Sequence, residues 1–343
     1  MPKKWHGRLE DIAALDNLWA AYSWVYKRAK RNKVHYTVKG IKDIAGAIMS
    51  GEWEPFPPSE YDHFEPSSNK WRHIVAPEFE TKIVERAIIQ IYIDDICSFL
   101  HPKMCGSIPY RGTRRVYETV SSWSKLPDKR RRYFYKGDIV HCFQTITVDE
   151  GMREWKRHIG DTRVHHLIWQ CLSLESSRYH RENPCLLIGS ALAHPTANLV
   201  LSSVAYAIGD HVVFQMDDFV FLGGNKRTMK RKYARACDAL AEKGLVLHDT
   251  QLWHWQKTPI DIAGYKVYWS GKKKERKRTF INTKRLLRSP YLTTTQRERL
   301  GSLYGCAKNS DSSQLKIDIK EKMKNEDRKK HAGPCAGAVL SRF

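Results

Sequence analysis

Long apolar runs are missing from this sequence. None reaches the roughly 18 consecutive apolar residues that a transmembrane helix requires, and residues 1–6 lack the apolar core of a signal peptide. Paired metal-binding cysteines are missing as well, because the eight cysteines stand singly and form no CxxC. These absences exclude a zinc ribbon and predict a cytoplasmic protein without membrane contacts, in which the cysteines are reduced thiols.

Acidic residues are too few to balance the basic ones. Lys and Arg total 59 against 37 Asp and Glu, and the net charge is +22. Such an excess favours a polyanionic partner, either nucleic acid or an anionic membrane surface. The 11 Trp and 16 Tyr residues favour nucleic acid, because aromatic faces stack on bases. Two basic runs, 129–132 and 272–278, are candidate phosphate contacts, with a solvated charged face as the alternative.

The apolar periodicity predicts a helical start, a mixed α/β middle and a helical end. A strand over 133–135 is expected to end at Gly137 and Asp138, and residues 54–70, rich in Pro and Ser, are expected to form a loop or strand connection. Strands over 212–215 and 219–222 should form a hairpin. The remaining expected elements are helices over 74–100, 162–175, 189–208 and 226–243 and a strand over 262–269.

Two adjacent carboxylates, Asp217 and Asp218, stand at the tip of the expected hairpin between apolar strands. Charges in such a setting are costly unless something neutralises them. Because side chains alternate along a strand, the two should point to opposite sides, so that one binds metal strongly and the other supports it. The competing explanation is a polar hairpin turn, in which Asp is common.

Asp138 favours the metal-binding explanation. It ends a second apolar strand, and the carboxylates meet if the two strands are neighbours in one sheet. Metal ions about 4 Å apart on such carboxylates activate a primer 3′-oxygen and stabilise a leaving pyrophosphate. Magnesium prefers oxygen ligands. The sequence therefore predicts two Mg²⁺ ions, with Mn²⁺ as the alternative, bound by Asp138, Ile139, Asp217 and Asp218.

Seven sequence blocks follow one another in the order of a known family: 64–74, 78–88, 106–113, 137–146, 188–199, 214–220 and 245–267. Residues 137–146 read Gly-Asp-Ile-Val-His-Cys-Phe-Gln-Thr-Ile, and residues 214–220 read Phe-Gln-Met-Asp-Asp-Phe-Val. The chain from about residue 10 to 310 resembles bacterial reverse transcriptases, especially those of diversity-generating retroelements, group II introns and antiphage defence systems. Each block alone is a weak match, whereas the ordered set is specific.

The resemblance implies roles for individual residues. Lys70 and Arg72 fall in the block that contacts the incoming triphosphate, with a solvated strand edge as the alternative. Phe143 falls where a bulky side chain excludes a ribose 2′-hydroxyl, which implies deoxynucleotide use; simple core packing is the alternative. Lys257 follows the third motif, where the family often has a Lys near the pyrophosphate.

Some positions depart from the family pattern. Gln215 stands where the family has Tyr, Ala193 and His194 replace a Ser-Gln pair, and Gln144 replaces a Pro. The family uses these positions around the nascent base pair and primer end. His194 would replace the missing Gln in contacting nucleotide or template, unless it is a buried, satisfied histidine. Since the three carboxylates are intact, we expect an active polymerase with an unusual template and base-pair pocket.

The resemblance implies an α+β fold of the right-hand polymerase type. Fingers and palm should fill residues 1–280, the palm being a small antiparallel sheet backed by helices, and a short helical thumb should occupy residues 281–343. The implied reaction is RNA-directed DNA synthesis, in which a primer 3′-hydroxyl attacks a dNTP. The implied partners are an RNA template, DNA product and dNTPs; an accessory protein, a second polymerase and a homo-oligomer stay open.

Three functional readings remain at the level of sequence. The divergent motifs favour antiphage defence, with DNA synthesis on a dedicated non-coding RNA. A diversity-generating retroelement enzyme, with an accessory subunit and mutagenic cDNA, is the second. The third is a non-catalytic RNA-binding scaffold built on a polymerase fold, against which the intact carboxylates argue.

Overall fold

The computed structural model describes residues 4–29, 33–65, 70–179 and 184–331, and it begins with helices. Pro66 of the first sequence block and residues 332–343 of the expected thumb lie outside the described residues. The opening apolar stretch forms two helices, α1 (Leu9–Ala13) and α2 (Leu15–Arg28), because Ala14 between them has an extended backbone. Helix α3 (Val38–Ser50) follows and ends at Gly51, whose φ of 79° suits glycine. Within the described ranges, none of the helices has the length and apolarity of a membrane span.

A solvent-exposed hairpin comes next, formed by β1 (Ser59–Glu65) and β2 (Lys70–Ala76). The loop expected over 54–70 was therefore wrong for its second half. Strand β1 has no buried residue, so no apolar alternation marks it, and it exists because it pairs with β2 along its whole length. The imidazole of His73 strengthens the pairing by contacting Glu60 at 2.6 Å and Asp62 at 2.9 Å. Helices α4 (Phe79–Phe99) and α5 (Gly112–Ser122) follow.

A four-stranded antiparallel sheet forms the centre of the molecule. Its strands are β3 (Tyr133–Asp138), β4 (Val212–Gln215), β5 (Asp218–Gly223) and β6 (Trp253–His254). Their order in the sheet is β4-β5-β3-β6. The expected hairpin is thus β4–β5, and the strand expected before Asp138 is the neighbour of β5. We call these four strands the central sheet.

Helices cover one face of the central sheet. Helices α6 (Cys142–Thr145), α7 (Val148–His158) and α8 (Thr162–Leu172) share the core on this face, and α9 (Ala193–Ile208) and α10 (Lys226–Ala241) contact the strands themselves. Tyr135, Phe219 and Phe221 point into the core that α9 and α10 share. Helix α9 is buried along most of its length and tolerates Pro195, because the first turn of a helix needs no backbone donor there. Alternation sends Phe134 and Leu222 to the other face, into a smaller core with α5.

A three-stranded sheet packs beside α5. It consists of β7 (Ile260–Ile262), β8 (Tyr265–Val267) and β9 (Lys273–Glu275). The single strand expected over 262–269 was wrong, because the chain reverses within it. Ala263 and Gly264 have φ values of 51° and 87°, the two positive values that a tight hairpin turn requires.

The C-terminal described region is helical, with α11 (Lys277–Arg288), α12 (Thr294–Lys308) and α13 (Ser313–His331). It has a small core of its own, formed by Leu300, Ala307, Leu315 and Ile319. The predicted boundary between residues 280 and 281 lies within α11, and the division into two units remains a prediction. The prediction of an α+β fold with a small antiparallel sheet backed by helices is confirmed.

Candidate active site

The carboxylates predicted from the two strand ends lie next to each other. In the pairing of β3 with β5, Asp138 stands directly opposite Asp218. Beyond the strand, the Ile139 N–H donates to the Asp217 carbonyl at 3.3 Å, and the His248 N–H donates to the Asp138 carbonyl at 2.9 Å. Residues opposite one another on antiparallel strands point to the same face. Asp138 and Asp218 therefore share one face of the central sheet, and Asp217 lies in the adjoining turn.

The turn that carries Asp217 is held in a strained conformation. Met216 has a φ of 59°, which costs a non-glycine residue on the order of 1 kcal/mol. The neighbouring chain fixes it: a side chain on Gly106 would lie 2.5 Å from the Met216 nitrogen. The Asn198 amide holds the Gly106 carbonyl at 2.9 Å. Buried helix α9 and the 103–106 segment thus fix the position of the Asp217 carboxylate.

Burial makes the negative charges of this site costly. It raises the pKa of Asp217, and the Asp138 charge raises that pKa further. Burial also raises the pKa of Asp218 to about 6, against the lowering effect of Lys136. The Lys136 ammonium lies 3.5 Å from Asp218 Oδ1, at the limit of hydrogen-bond reach. From the sequence, Lys136 was expected to contact backbone or solvent rather than the carboxylates, although it lies two residues before Asp138 on the same face of β3.

The donor atoms fit a hard divalent cation. The three carboxylates provide oxygens, and the Ile139 carbonyl accepts no hydrogen bond among the described residues. Such oxygens suit Mg²⁺ and Mn²⁺. Within the described ranges, no three His, Cys, Asp or Glu side chains converge closely enough to form a complete metal site.

Phe143 and His194 lie together, and Phe143 stands five residues after Asp138 in the chain. Phe143 is in α6, and its ring lies 5.3 Å from that of His194 at the start of α9. Burial lowers the pKa of His194, and a hydrogen bond with the Ser190 backbone opposes this effect. His194 is therefore a neutral imidazole near pH 7. The structure thus brings together two of the residues predicted around the nucleotide.

Glu85 is a buried carboxylate that sequence reasoning did not single out. It accepts hydrogen bonds from the Ser190 hydroxyl at 2.5 Å and the Ala191 N–H at 2.9 Å. Burial raises its pKa to about 7, although these two hydrogen bonds oppose the shift. It thereby joins α4 to the loop that leads into His194. A charged residue on the apolar face of α4, between Val84 and Ala87, was the signal available in the sequence.

The β1–β2 hairpin presents its basic residues on one face. Lys70 and Arg72 are two residues apart and therefore point the same way. Both are exposed, and Arg72 pairs with Glu65 at 2.8 Å. The Arg72 charge also lowers the pKa of Asp217, which places Arg72 on the side of the carboxylates. The hairpin is anchored at its base, where the Val75 N–H donates to the Ile188 carbonyl at 2.9 Å.

Of the remaining two predicted nucleotide contacts, Gln215 lies at the carboxylates and Lys257 does not. Gln215 stands opposite Asp218 in the β4–β5 pair, and its buried Oε1 atom has no hydrogen-bond partner among the described residues. Lys257 is exposed in the turn after β6. Strand β6 pairs with β3 at Tyr133 and Phe134, the end of β3 remote from Asp138. Lys257 is therefore not brought to the carboxylates.

A cleft of about 730 Å³ opens between α2, α4 and the hairpin. Its lining includes Trp24, Arg28 and Arg86, and it reaches Gly189 and Ala191 of the loop that Glu85 holds. Both guanidinium groups lie over the Trp24 ring, at 4.0 Å for Arg28 and 4.4 Å for Arg86. Burial and the Arg28 charge lower the pKa of Arg86. Two adjacent cations on an aromatic platform form a ready site for phosphate.

Comparisons with known proteins agree with this geometry. Residues 63–267 match the family model described as reverse transcriptase (RNA-dependent DNA polymerase). Protein YkfC of Escherichia coli strain K12 is 24% identical over 133 residues, which are 38% of this chain and 35% of YkfC. The match therefore spans about a third of that relative.

Two solved telomerases match this chain over most of its length. The telomerase of Candida albicans, in complex with a TWJ fragment of telomeric RNA, has a TM-score of 0.50 at 12% identity, and the similarity covers 89% of this chain and 58% of the telomerase. The apo telomerase of Candida tropicalis, truncated from its C-terminal domain, has a TM-score of 0.49 at 11% identity, with 72% and 62% covered. At such identities the likeness concerns the fold alone.

Proposed function

Because the chain belongs to the reverse transcriptase family, which its match over residues 63–267 establishes, we propose that it synthesises DNA on an RNA template. The observation that carries this proposal is the pairing of Asp138 with Asp218 at the open ends of β3 and β5, with Asp217 in the adjoining turn. Three carboxylates in such a position are costly to the fold, and bound cations offset that cost.

The residues around the carboxylates have distinct roles in this proposal. Asp138, Asp217 and Asp218, with the Ile139 carbonyl, would hold two Mg²⁺ ions. When bound, these ions supply charge neutralisation and alignment for phosphoryl transfer. Lys136, 3.5 Å from Asp218, holds that carboxylate in place and partly offsets its charge.

The nucleotide and the template approach from the hairpin side. Lys70 and Arg72 donate to the triphosphate, as cationic donors on one face do, and Phe143 excludes a 2′-hydroxyl beside His194. The unpartnered amide oxygen of Gln215 accepts a hydrogen bond from the nascent base pair or its sugar. Arg28 and Arg86 on Trp24 bind phosphates of the single-stranded template in the cleft.

For the biological role we propose antiphage defence with a dedicated non-coding RNA. The support is the altered pocket, in which Gln215 and His194 replace the family's usual residues. A diversity-generating retroelement enzyme is the alternative. Sequencing the DNA made by the protein with its co-purifying RNA separates them. Faithful copies of one RNA favour defence, and error-rich copies of a repeat favour the retroelement.

The direct test is dNTP incorporation on a primed RNA with Mg²⁺. Asp217→Asn combined with Asp218→Asn should abolish incorporation, and Asp138→Asn alone should do the same. Asp16→Asn combined with Asp43→Asn is the matched control, because both carboxylates are exposed on α2 and α3. If the variants lacking catalytic carboxylates incorporate as well as this control, the proposal fails. RNA binding without incorporation by the unaltered protein would instead support the scaffold.

A further inference from the structure

A cluster of exposed cations lies on the back of the central sheet. Three come from the turn that precedes β3, and five lie on α10. We call these eight residues the dorsal basic patch: Lys129, Arg130, Arg132, Lys226, Arg227, Lys230, Arg231 and Arg235. None of them touches the site described above.

The two parts of the dorsal basic patch adjoin each other. Gly224, just before α10, lies so close to the turn that a side chain on it would meet the Lys129 carbonyl and come within 3.1 Å of the Arg130 Cα. Burial lowers the pKa of His211, and the charges of Lys232 in α10 and Arg130 lower it further. One histidine thus experiences cations from both elements, and the patch is continuous.

The charges of the dorsal basic patch are not neutralised by ion pairs among the described residues. Among the described residues, none of its eight cations forms an ion pair, whereas the neighbouring Arg131 pairs with Asp128 at 2.7 Å and lies over Trp269. No acidic residue occupies the first turn of α10, where Lys226 and Arg227 stand. Cations at that end oppose the helix dipole and weaken the fold. Asp128, Asp210 and Asp238 are acidic residues nearby in sequence, and Asp128 is the one that pairs with Arg131.

The dorsal basic patch faces away from the carboxylates. Lys136 and Asp218 lie on one face of the central sheet. Alternation puts Tyr135 on the opposite face, where it stacks on Tyr233 of α10 at 4.7 Å. The outer surface of α10 is thus behind the sheet. A duplex lying on the carboxylate face cannot reach it, so the patch needs a second segment of polyanion.

We propose that the dorsal basic patch binds the phosphate backbone of a double-helical segment of the RNA that the enzyme copies, outside the copied stretch. A helical segment fits because no large aromatic side chain is exposed at 129–132 or 226–235, and single strands need aromatic platforms. RNA fits because the DNA product stays paired with its template on the other face. The identification of the partner as the copied RNA rests on the proposed function.

The test compares two triple variants in binding a labelled RNA hairpin without nucleotides. Arg130→Gln, Arg227→Gln and Lys230→Gln together should weaken binding about tenfold and reduce the slope of log Kd against log salt by about 3. The matched control, Lys39→Gln, Lys42→Gln and Lys156→Gln, removes three exposed cations elsewhere and should change neither value comparably. Synthesis on a short unstructured primer–template should stay unchanged in both.

Two outcomes overturn the proposal. The first is a patch variant that binds the hairpin with the affinity and salt slope of the control. The second is a loss confined to a DNA hairpin of the same sequence, with RNA binding intact. Failure of the unaltered protein to synthesise DNA counts against the proposed function alone, because the hairpin measurement needs no synthesis.

Discussion

The Ser190 hydroxyl donates a hydrogen bond of 2.5 Å to the buried carboxylate of Glu85. Glu85 lies in the first half of α4, whereas Ser190 lies in the loop before α9, 105 residues away in sequence but adjacent in space. The same carboxylate accepts from the Ala191 N–H at 2.9 Å. Helix α4 therefore fixes the loop that carries His194 towards Phe143, and it does so with a group whose pKa burial raises to about 7.

Glu85 should make stability depend on pH. Its folded-state pKa of about 7 lies above the ordinary value of 4.5, so the folded protein binds the extra proton between these values. The free energy of unfolding should therefore fall as pH rises from about 4.5 to about 7, by up to roughly 3 kcal/mol. Urea unfolding of the protein and of Glu85→Gln across this range measures the effect. The Gln oxygen can accept from the Ala191 N–H while its NH₂ donates to the Ser190 hydroxyl oxygen. The Glu85→Gln curve should lack the decline, and parallel curves would contradict the assignment.

Gly189 should not tolerate a side chain. Its φ is 132°, and a Cβ there would lie 2.2 Å from the Val75 carbonyl of β2. Gly189→Ala should lower the free energy of unfolding by roughly 2 kcal/mol or more and reduce DNA synthesis by shifting the hairpin. Gly46→Ala is the control: Gly46 lies within α3 with open space around it, and Ala should stabilise by about 0.5–1 kcal/mol. Equal effects at both positions would refute this account.

Phe143 should set the choice between deoxy- and ribonucleotides. Phe143→Ala opens the space beside His194, and the ratio of kcat/KM for dCTP to that for CTP should fall about tenfold or more. Phe143→Tyr keeps the bulk and should keep the ratio. A ratio that is the same in the protein and in Phe143→Ala would show that Phe143 only packs the core.

Trp24 should hold Arg28 and Arg86 in the position in which they bind template phosphates. Trp24→Leu removes the platform beneath Arg28 and Arg86, and affinity for single-stranded RNA should fall severalfold as the guanidinium groups disperse. Arg86→Gln should also reduce the salt slope by about 1. Trp19→Leu, on the same helix with an exposed ring, is the control in fluorescence anisotropy. Comparable losses in both Trp variants would argue against a specific platform.

Lys243 should stabilise the contact between α7 and the segment after α10, without taking part in DNA synthesis. It lies 2.8 Å from Glu150 and 2.9 Å from Glu154 of α7, and all three side chains are less than a tenth exposed. Lys243→Met leaves two buried carboxylates without that cation and should cost about 3–5 kcal/mol in urea unfolding. Lys42→Met, at an exposed site, should change stability by less than about 0.5 kcal/mol. A small effect at Lys243 would mean that Arg153 and Arg157 are enough to neutralise Glu150 and Glu154.

Local patterns in the sequence were enough to predict the elements that carry the carboxylates. Apolar runs on both sides of Met216, Asp217 and Asp218 indicated the β4–β5 hairpin, and the apolar run before Asp138 indicated β3. Helix α9 was predicted despite Pro195. These predictions succeeded because side-chain periodicity and turn chemistry are encoded within short windows. Strand β1 was not predicted, because it is exposed on both sides and has no apolar pattern.

The tertiary structure alone decided which distant residues meet. By itself the sequence determined the strand ends, the basic excess and the ordered blocks that resemble a known family. It did not determine that Asp138 lies opposite Asp218, that Glu85 holds Ser190, or that α10 turns its cations away from the carboxylates. Pairings of this kind depend on packing energy summed over many residues far apart in the chain. No single window of sequence contains that sum, so only the folded chain settles it.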